Sequence, residues 1–188
     1  VSAEGLVFAA GSVMSTSVGL GDNCQLVKPD IPSEPELPSE ITITVDPTVD
    51  GVIPSNFPTS VKDKVTNGEF LLAGYPFGFE SEVPFYCTTS KRIRFEGITS
   101  TKTASILLPR IDGYILDKVT LASTDDNKKL RGCRFAVLET ISEDNITTEN
   151  YEILTSKPTT FEVSLSSADS NCYIYVYHKT TDTGKYAD

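Results

Sequence analysis

The stretch ILLPRIDGYILDKVTLAS, residues 106–123, decides the fold class. Two apolar runs flank a short segment with Pro109 and Gly113, residues that favour turns because proline fixes its own φ and glycine accepts φ values closed to other residues. Three apolar side chains of the second run are predicted to face a core: Ile115, Val119 and Leu121. The pattern therefore predicts two strands joined by a corner.

Alternation of apolar and polar residues recurs in four further segments of the sequence. Their predicted inward-facing side chains are Ile41, Ile43 and Val45; Ile93 and Phe95; Cys133, Phe135 and Val137; and Phe161, Val163 and Leu165. Clusters of Asn, Asp and Gly separate the runs at short intervals, and no segment has a comparable period of 3.6 residues. Many short strands with frequent turns indicate an all-β sandwich or barrel.

The chain is acidic, with 16 Lys and Arg against 26 Asp and Glu in 188 residues and a formal net charge of −10. Such a surface repels phosphate backbones and anionic lipids, so nucleic acid is not an expected partner. No apolar run reaches the roughly 18 residues that a membrane helix needs, and no membrane span is predicted.

A proline-rich, acidic segment, KPDIPSEPELPSE at residues 28–40, divides the chain. Proline restricts its own φ and pushes its predecessor toward extended backbone, so the segment is expected to be a stiff strap. We therefore predict an N-terminal segment and strap over residues 1–40 and a β-sandwich domain over residues 41–188.

Several phrases of the body follow one another in a particular order: DGVIPSNFPTS, NGEFLLAGYPFGF, KRIRFEG, ASILLPRIDGYILDKVTLAS and a late strand. Their order resembles a group of β-sandwich modules from surface and secreted proteins of Gram-negative gut commensals, related in fold to galactose-binding-like jelly rolls. The resemblance implies a jelly-roll-like antiparallel β-sandwich with an extended N-terminal appendage. It also implies an extracellular, outer-surface or periplasmic location.

The sequence departs from these modules near its C-terminus, where they add one more strand after the turn that here reads TTDTGKYAD. Without that strand, an edge beside Cys172, Ile174 and Val176 would be open, and an open apolar edge favours aggregation. We expect the apolar segment Gly5–Val13 to cover it, with Leu6–Ala10 pairing as a strand in the same chain or a neighbouring one.

The residues give little support for an enzyme. His178 is the one histidine of the chain, and a triad would also need an oriented nucleophile and acid. No two acidic residues are singled out as a glycosidase pair. The cysteines are widely spaced and free thiols are favoured over two disulfides, although an even count permits both; they are Cys24, Cys87, Cys133 and Cys172.

The segment NCYIYVYHK places Tyr173, Tyr175 and Tyr177 on one face of a predicted strand. Tyrosine rings can lie against the CH faces of sugars while their hydroxyls form hydrogen bonds. This stripe, together with Arg92 and Arg94 on the outer face of KRIRFEG, is the predicted carbohydrate site. The alternative is that the stripe packs under a neighbouring strand or the strap, since tyrosine is a common strand residue.

Side-chain oxygens of Asp125, Asp126 and Asn127 could hold a structural Ca²⁺, although turn formation explains these residues without a metal. No other cofactor is predicted. The sequence as a whole predicts a non-catalytic cell-surface or secreted module that binds carbohydrate or assists glycan handling. The alternative is a structural or adhesive assembly subunit, in which an open sheet edge accepts a strand from a protein partner.

Overall fold

The chain is all-β. The computed structural model describes residues 37–122, 133–142, 151–153, 156–178 and 186–187. Within these ranges every strand pairing is antiparallel, and the helical residues are confined to one 3₁₀ turn, Val61–Asp63. None of the helical structure in these ranges is long and apolar enough to cross a membrane.

The chain divides into two units, Val1–Ser39 and Glu40–Asp188. The described residues contain eleven strands, all of them in the second unit. Their bounds are β1 Asn67–Leu72, β2 Tyr75–Ser81, β3 Phe85–Cys87, β4 Ile93–Glu96, β5 Ala104–Leu107, β6 Lys118–Leu121, β7 Arg134–Leu138, β8 Tyr151–Ile153, β9 Thr159–Glu162, β10 Tyr173–Tyr177 and β11 Tyr186–Ala187. They form a six-stranded sheet in the order β1-β2-β5-β10-β7-β8, a three-stranded sheet in the order β11-β4-β3, and the pair β6-β9.

The opening stretch forms two strands and a corner, as predicted. β5 ends at Leu107, and the chain turns at Gly113, whose φ of 82° lies in the left-handed region that favours glycine. The N–H of Tyr114 closes this turn by donating to the carbonyl of Ile111 at 3.1 Å. β6 then pairs with β9, so the two strands of the stretch belong to different sheets.

The inward-facing residues of the stretch are only partly as predicted. Val119 and Leu121 pack against the core. Ile115 is 64% exposed, and its predicted place in the core was wrong. It lies in the corner, before β6 begins at Lys118, where the backbone does not yet follow the two-residue alternation of a strand.

The centre of the core is formed by five phenylalanine rings: Phe57, Phe70, Phe79, Phe85 and Phe95. Phe85 is fully buried and contacts the other four, with ring centroids 4.8 to 5.9 Å apart. Phe70 and Phe79 come from the six-stranded sheet, whereas Phe85 and Phe95 come from the three-stranded sheet. One core is therefore shared by both sheets, and burial of each ring contributes about 2–3 kcal/mol.

β7 and β10 are buried on both faces. Ile174 and Val176 of β10 belong to the main core, while Tyr175 and Tyr177 form a second buried cluster with Ala136 and Leu138 of β7. The predicted assignment of alternate side chains to opposite faces is thereby confirmed for β10. Both strands lie inside the six-stranded sheet, which explains their nearly continuous apolar sequence.

The edge that the sequence predicted beside Cys172, Ile174 and Val176 does not exist. β10 pairs with β5 on one side and with β7 on the other, so this prediction was wrong. The C-terminal segment that was expected to lack a strand also contains one, since β11 pairs with β4. Alternation identifies the two faces of a strand, but it carries no information on which strands lie beside it. The segment Leu6–Ala10, which was expected to cover that edge, lies outside the described residues.

The predicted strand at Ile41–Val45 keeps its alternation without forming a ladder. Ile43 and Val45 pack against the core, and Thr42 and Thr44 are exposed. The segment nevertheless pairs with no strand among the residues that the structure describes. Period-two burial therefore needs only an extended backbone over an apolar surface, whereas a strand also needs a partner.

Candidate functional site

An open cavity lies against the three-stranded sheet. Its volume is about 290 Å³. The residues that line it are Thr59, Ser60, Val61, Tyr86, Thr88, Thr89, Ser90 and Arg94. Six of these eight carry a hydroxyl group, and Arg94 carries the one charge. We call this site the Tyr86–Arg94 cavity.

The pairing register of β3 with β4 brings Tyr86 and Arg94 to the same side of the three-stranded sheet. Tyr86 and Arg94 are directly opposite each other in the antiparallel pair. Residues directly opposite on neighbouring strands project from the same face of a sheet. The flanking pair Phe85 and Phe95 is buried in the core, so Tyr86 and Arg94 project from the opposite face.

The second wall of the cavity is the loop 58–65, which is fastened to β3 by main-chain hydrogen bonds. The N–H of Cys87 donates to the carbonyl of Pro58 at 2.7 Å, and the N–H of Phe85 donates to the carbonyl of Val65 at 3.1 Å. These bonds occupy the edge of β3 that faces away from β4. The loop therefore continues the sheet and holds the cavity walls together.

Within the loop, a capping box fixes the 3₁₀ turn. Ser60 is the N-cap, and its hydroxyl accepts from the N–H of Lys62 at 3.2 Å. The Asp63 carboxylate in turn accepts from the N–H groups of Thr59 and Ser60 at 2.9 and 3.0 Å. Donors and acceptors at the start of the turn are thus satisfied locally.

The Tyr86 phenol lies between groups of opposite charge. Its O–H donates to the carboxylate of Glu96, which is two residues beyond Arg94 on β4. Burial raises the pKa of Tyr86 and the hydrogen bond to Glu96 raises it further, while Arg94 opposes the rise. The phenol therefore stays protonated near neutral pH and acts as a hydrogen-bonding group, not as a base.

Thr88 brings an unsatisfied hydroxyl to the wall of the cavity. Its Oγ1 is buried and has no hydrogen-bond partner among the described residues. A buried hydroxyl without a partner costs about 1–3 kcal/mol. Because this hydroxyl is buried, it lies inside the wall and is not exposed to a ligand in the cavity.

Of the two predicted arginines, the structure brings one into the cavity. Arg94 lines it, whereas Arg92 precedes β4 and is not among the lining residues. Arg92 is tied to the end of β3 through its backbone, since its carbonyl accepts from the N–H of Thr88 at 2.8 Å.

The tyrosine stripe lies on β10, away from the cavity. Tyr175 and Tyr177 are 6% and 7% exposed, and their rings stack with centroids 5.5 Å apart. Tyr173 is half-buried, and its hydroxyl accepts from Nδ2 of Asn171 at 3.2 Å. A sugar has little access to the first two rings, so the predicted role in carbohydrate contact rests on Tyr173 and on the arginines.

The predicted calcium ligands, Asp125, Asp126 and Asn127, lie outside the described residues, and the calcium site stays a prediction. In the part of the chain that the structure describes, no group of three or more His, Cys, Asp or Glu side chains is placed to hold a metal. His178 follows β10 directly, and its Nε2 is buried with no hydrogen-bond partner among those same residues.

Three of the cysteines, Cys87, Cys133 and Cys172, are buried and form no disulfide. Two of them, Cys87 and Cys172, have thiols with a shifted pKa. Burial raises the pKa of both, and that of Cys172 to about 11. A buried thiol with a raised pKa is a poor nucleophile, because the thiolate is the reactive form. These two cysteines therefore act as core side chains, whereas Cys24 lies outside the described residues.

A second surface feature is the outer strand β1 of the six-stranded sheet. β1 lies at the end of the strand order and pairs only with β2 among the described strands. Leu71 on this strand is 57% exposed. The β1–β2 hairpin turns through Ala73 and Gly74, with φ values of 50° and 85°, which is the type I′ geometry that suits the twist of paired strands.

Sequence reasoning missed most of the cavity. Tyr86 had a usable signal, because FYC at residues 85–87 alternates apolar, aromatic and apolar side chains and so points the tyrosine away from the core. Ser60 had none, since only the folding of loop 58–65 back onto β3 brings it to Arg94. Thr88 follows β3 directly, and its N–H donates to the carbonyl of Arg92 in the β3–β4 hairpin.

Comparison with known proteins supplies no relative from which a role could be carried over: no protein-family model matches the chain, and no curated sequence or solved structure matches it. The role of the chain therefore has to be inferred from its own residues and their geometry.

Proposed function

We propose that the chain is a non-catalytic binding module whose Tyr86–Arg94 cavity takes a saccharide. The observation that carries the proposal is the lining, in which five hydroxyl groups, besides the buried hydroxyl of Thr88, accompany one guanidinium. Hydroxyls both donate and accept, as sugar hydroxyls do, and guanidinium supplies fixed donors. A tyrosine ring at the same site offers an apolar surface for a sugar CH face.

The size of the cavity favours one or two sugar rings over a long chain. A volume of about 290 Å³ lies just below the range of about 300–1,000 Å³ found for small-molecule sites. The cavity is open to solvent, so a glycan chain can continue outward from the ring that is bound. This arrangement suits recognition of a chain end.

The architecture we propose for the module is a jelly-roll-like β-sandwich. Antiparallel pairing throughout the described strands and a core shared by the two larger sheets support it. A saccharide-binding role and the sequence resemblance both favour an extracellular, outer-surface or periplasmic location. Saccharide binding at a surface cavity requires no catalytic residue, so the proposed module is non-catalytic.

Affinity electrophoresis and a glycan array test the proposal on the full chain. We expect retardation by at least one polysaccharide and a loss of about tenfold in affinity for Arg94→Gln and for Tyr86→Phe, since each removes one charged or polar contact. Arg110→Gln is the matched control, because Arg110 is exposed and its Nη1 donates to the carbonyl of Asp169 at 2.6 Å, away from the cavity lining. Unchanged mobility with every polysaccharide would refute saccharide binding.

A second candidate function is that of a structural or adhesive subunit assembled by strand addition, and the outer position of β1 among the described strands favours it. An edge strand presents main-chain donors and acceptors that a partner strand can pair with. The exposed Leu71 would add an apolar contact on the same strand.

Light scattering coupled to size-exclusion chromatography separates the two candidate functions. Strand addition predicts concentration-dependent oligomers that Leu71→Lys abolishes, because lysine on an edge opposes pairing. Ile115→Lys is the control, since Ile115 is also exposed but lies in the corner between β5 and β6. A wild-type chain that stays monomeric at high concentration argues against assembly through this edge.

A further inference from the structure

We propose that Glu96 is a positioning residue of the Tyr86–Arg94 cavity, which holds the phenol of Tyr86 so that the tyrosine ring meets the sugar with its face. The proposal rests on the proposed saccharide binding and names the part of the sugar that the site recognises, an apolar face of C–H groups. Glu96 is not among the residues that line the cavity, whereas its hydrogen-bond partner Tyr86 is. Its effect on a bound sugar should therefore pass through Tyr86.

The pairing of β3 with β4 brings Glu96 within reach of the phenol. Tyr86 is directly opposite Arg94, and Glu96 lies two residues further along β4, on the same face and diagonal to Tyr86. The backbone of Glu96 is held from both sides, because its N–H donates to the carbonyl of Pro84 at 3.0 Å and it pairs with Tyr186 of β11. The carboxylate therefore extends from a strand position that two neighbouring segments fix.

The hydroxyl of Tyr86 is already bonded within the protein. Its O–H donates to the Glu96 carboxylate, and a phenol has a single hydrogen to donate. The guanidinium of Arg94 forms a hydrogen bond with the same oxygen. Hydrogen bonds to charged groups are roughly twice as strong as neutral ones, so a sugar hydroxyl would not displace either partner. Tyr86 therefore offers the face of its ring to a ligand.

A ring that is held in place before the ligand arrives should bind it more tightly. A loosely held side chain must be immobilised on binding, at a cost that corresponds to about two- to tenfold in affinity. Here Glu96 and Arg94 hold the phenol end of the ring, and β3 holds the other end. The exposed or half-buried hydroxyls of the lining are left to bond the sugar hydroxyls; they belong to Thr59, Ser60, Thr89 and Ser90.

Titration of the phenol tests the Glu96 contact in the full chain without a ligand. Burial raises the pKa of Tyr86, and the hydrogen bond to Glu96 raises it further. Glu96→Ala removes the second cause, so we expect Tyr86 to ionise at lower pH in this variant. Nuclear magnetic resonance with isotope-labelled tyrosine follows the ionisation, and Tyr86→Phe identifies the signal among the 8 tyrosines. An unchanged titration would overturn the inference, because Glu96 would then not hold the phenol.

Titration calorimetry with lactose, cellobiose and xylobiose measures the effect on binding. Glu96→Ala should lose up to about tenfold in affinity for the disaccharides that the wild type binds. Glu96→Gln should lose less, because the amide oxygen of glutamine still accepts from the phenol. Glu82→Ala is the matched control and should bind as wild type, since the Glu82 carboxylate also accepts from a hydroxyl, that of Thr103 at 3.2 Å, but does not line the cavity.

The double variant separates positioning from a direct effect on the sugar. Once Tyr86→Phe has removed the hydroxyl, Glu96→Ala should cause no further loss, whereas two independent contacts would give additive losses. Unchanged circular dichroism and melting temperature establish that the variants are folded. Additive losses, or wild-type affinity in Glu96→Ala, would overturn the inference and leave the proposed function standing; failure of the wild type to bind any of the disaccharides would overturn both.

Discussion

Replacing Tyr175 with alanine should destabilise the protein strongly, because the ring is a core group and not a ligand platform. Tyr175 is 6% exposed and stacks on Tyr177 at a centroid separation of 5.5 Å. An aromatic side chain buries about 150–250 Å², and its removal costs about 3–5 kcal/mol. For a chain of this size each kcal/mol shifts the melting temperature by about 2–4 °C, so we expect a fall of roughly 10 °C in calorimetry.

Tyr173→Ala is the matched control on the same strand, because Tyr173 is the half-buried member of the stripe. Its replacement should cost about 1 kcal/mol, the loss of one partly exposed side chain and its hydrogen bond with Asn171. Chemical denaturation of the two variants gives the difference in the free energy of unfolding directly. If the two losses differ by less than about 1 kcal/mol, Tyr175 is not the packed group described here.

Three further outcomes follow from particular residues. Because the pKa of Cys172 is raised from 9.0 to about 11, the native state retains a proton that the unfolded state loses, and unfolding free energy should fall as pH rises through this range, with a smaller fall in Cys172→Ala. Equal pH profiles would contradict the assignment. Thr88→Val should leave stability unchanged or raise it by about 1 kcal/mol in urea denaturation, since the hydroxyl it removes has no partner among the described residues; a clear loss would show that the hydroxyl is bonded. Ala73→Asn should raise the melting temperature by a few degrees, because asparagine tolerates the positive φ of 50° that alanine adopts with strain; a lower melting temperature would count against the type I′ turn.

Local patterns in the sequence predicted the faces of strands well. Phe95 and Ile93 of β4 lie on the core side, and Phe161, Val163 and Leu165 pack against the core although β9 ends at Glu162. Such predictions succeed because side chains alternate along any extended backbone, whatever the partner strand is. The same reasoning identified Ile43 as inward-facing without a ladder beside it.

The alternation of apolar and polar residues could not predict which strands pair with each other. β10 is central because β5 and β7, from distant parts of the chain, pair with its two edges. The tyrosine stripe was correctly assigned to one face, yet Tyr175 and Tyr177 are buried there in the second cluster and only Tyr173 is partly exposed. Arg94 was predicted as a binding residue, but three of its neighbours in the cavity come from loop 58–65, whose position depends on main-chain bonds to β3.

The two walls of the cavity should differ in how well they tolerate substitution, because one is formed by strands β3 and β4 and the other by loop 58–65, which main-chain hydrogen bonds attach to β3. Tyr86 and Arg94 lie on strands whose opposite face packs in the phenylalanine core, so substitution of their neighbours on these strands disturbs the packing of that core. The six residues 59–64 have no buried side chain and are held at either end by carbonyl groups, which every amino acid possesses. A library that keeps Ser60 and Asp63 of the capping box and randomises the other four positions could therefore be selected for new ligands while the scaffold keeps its stability. The domain would serve as a natural starting point for engineered recognition loops.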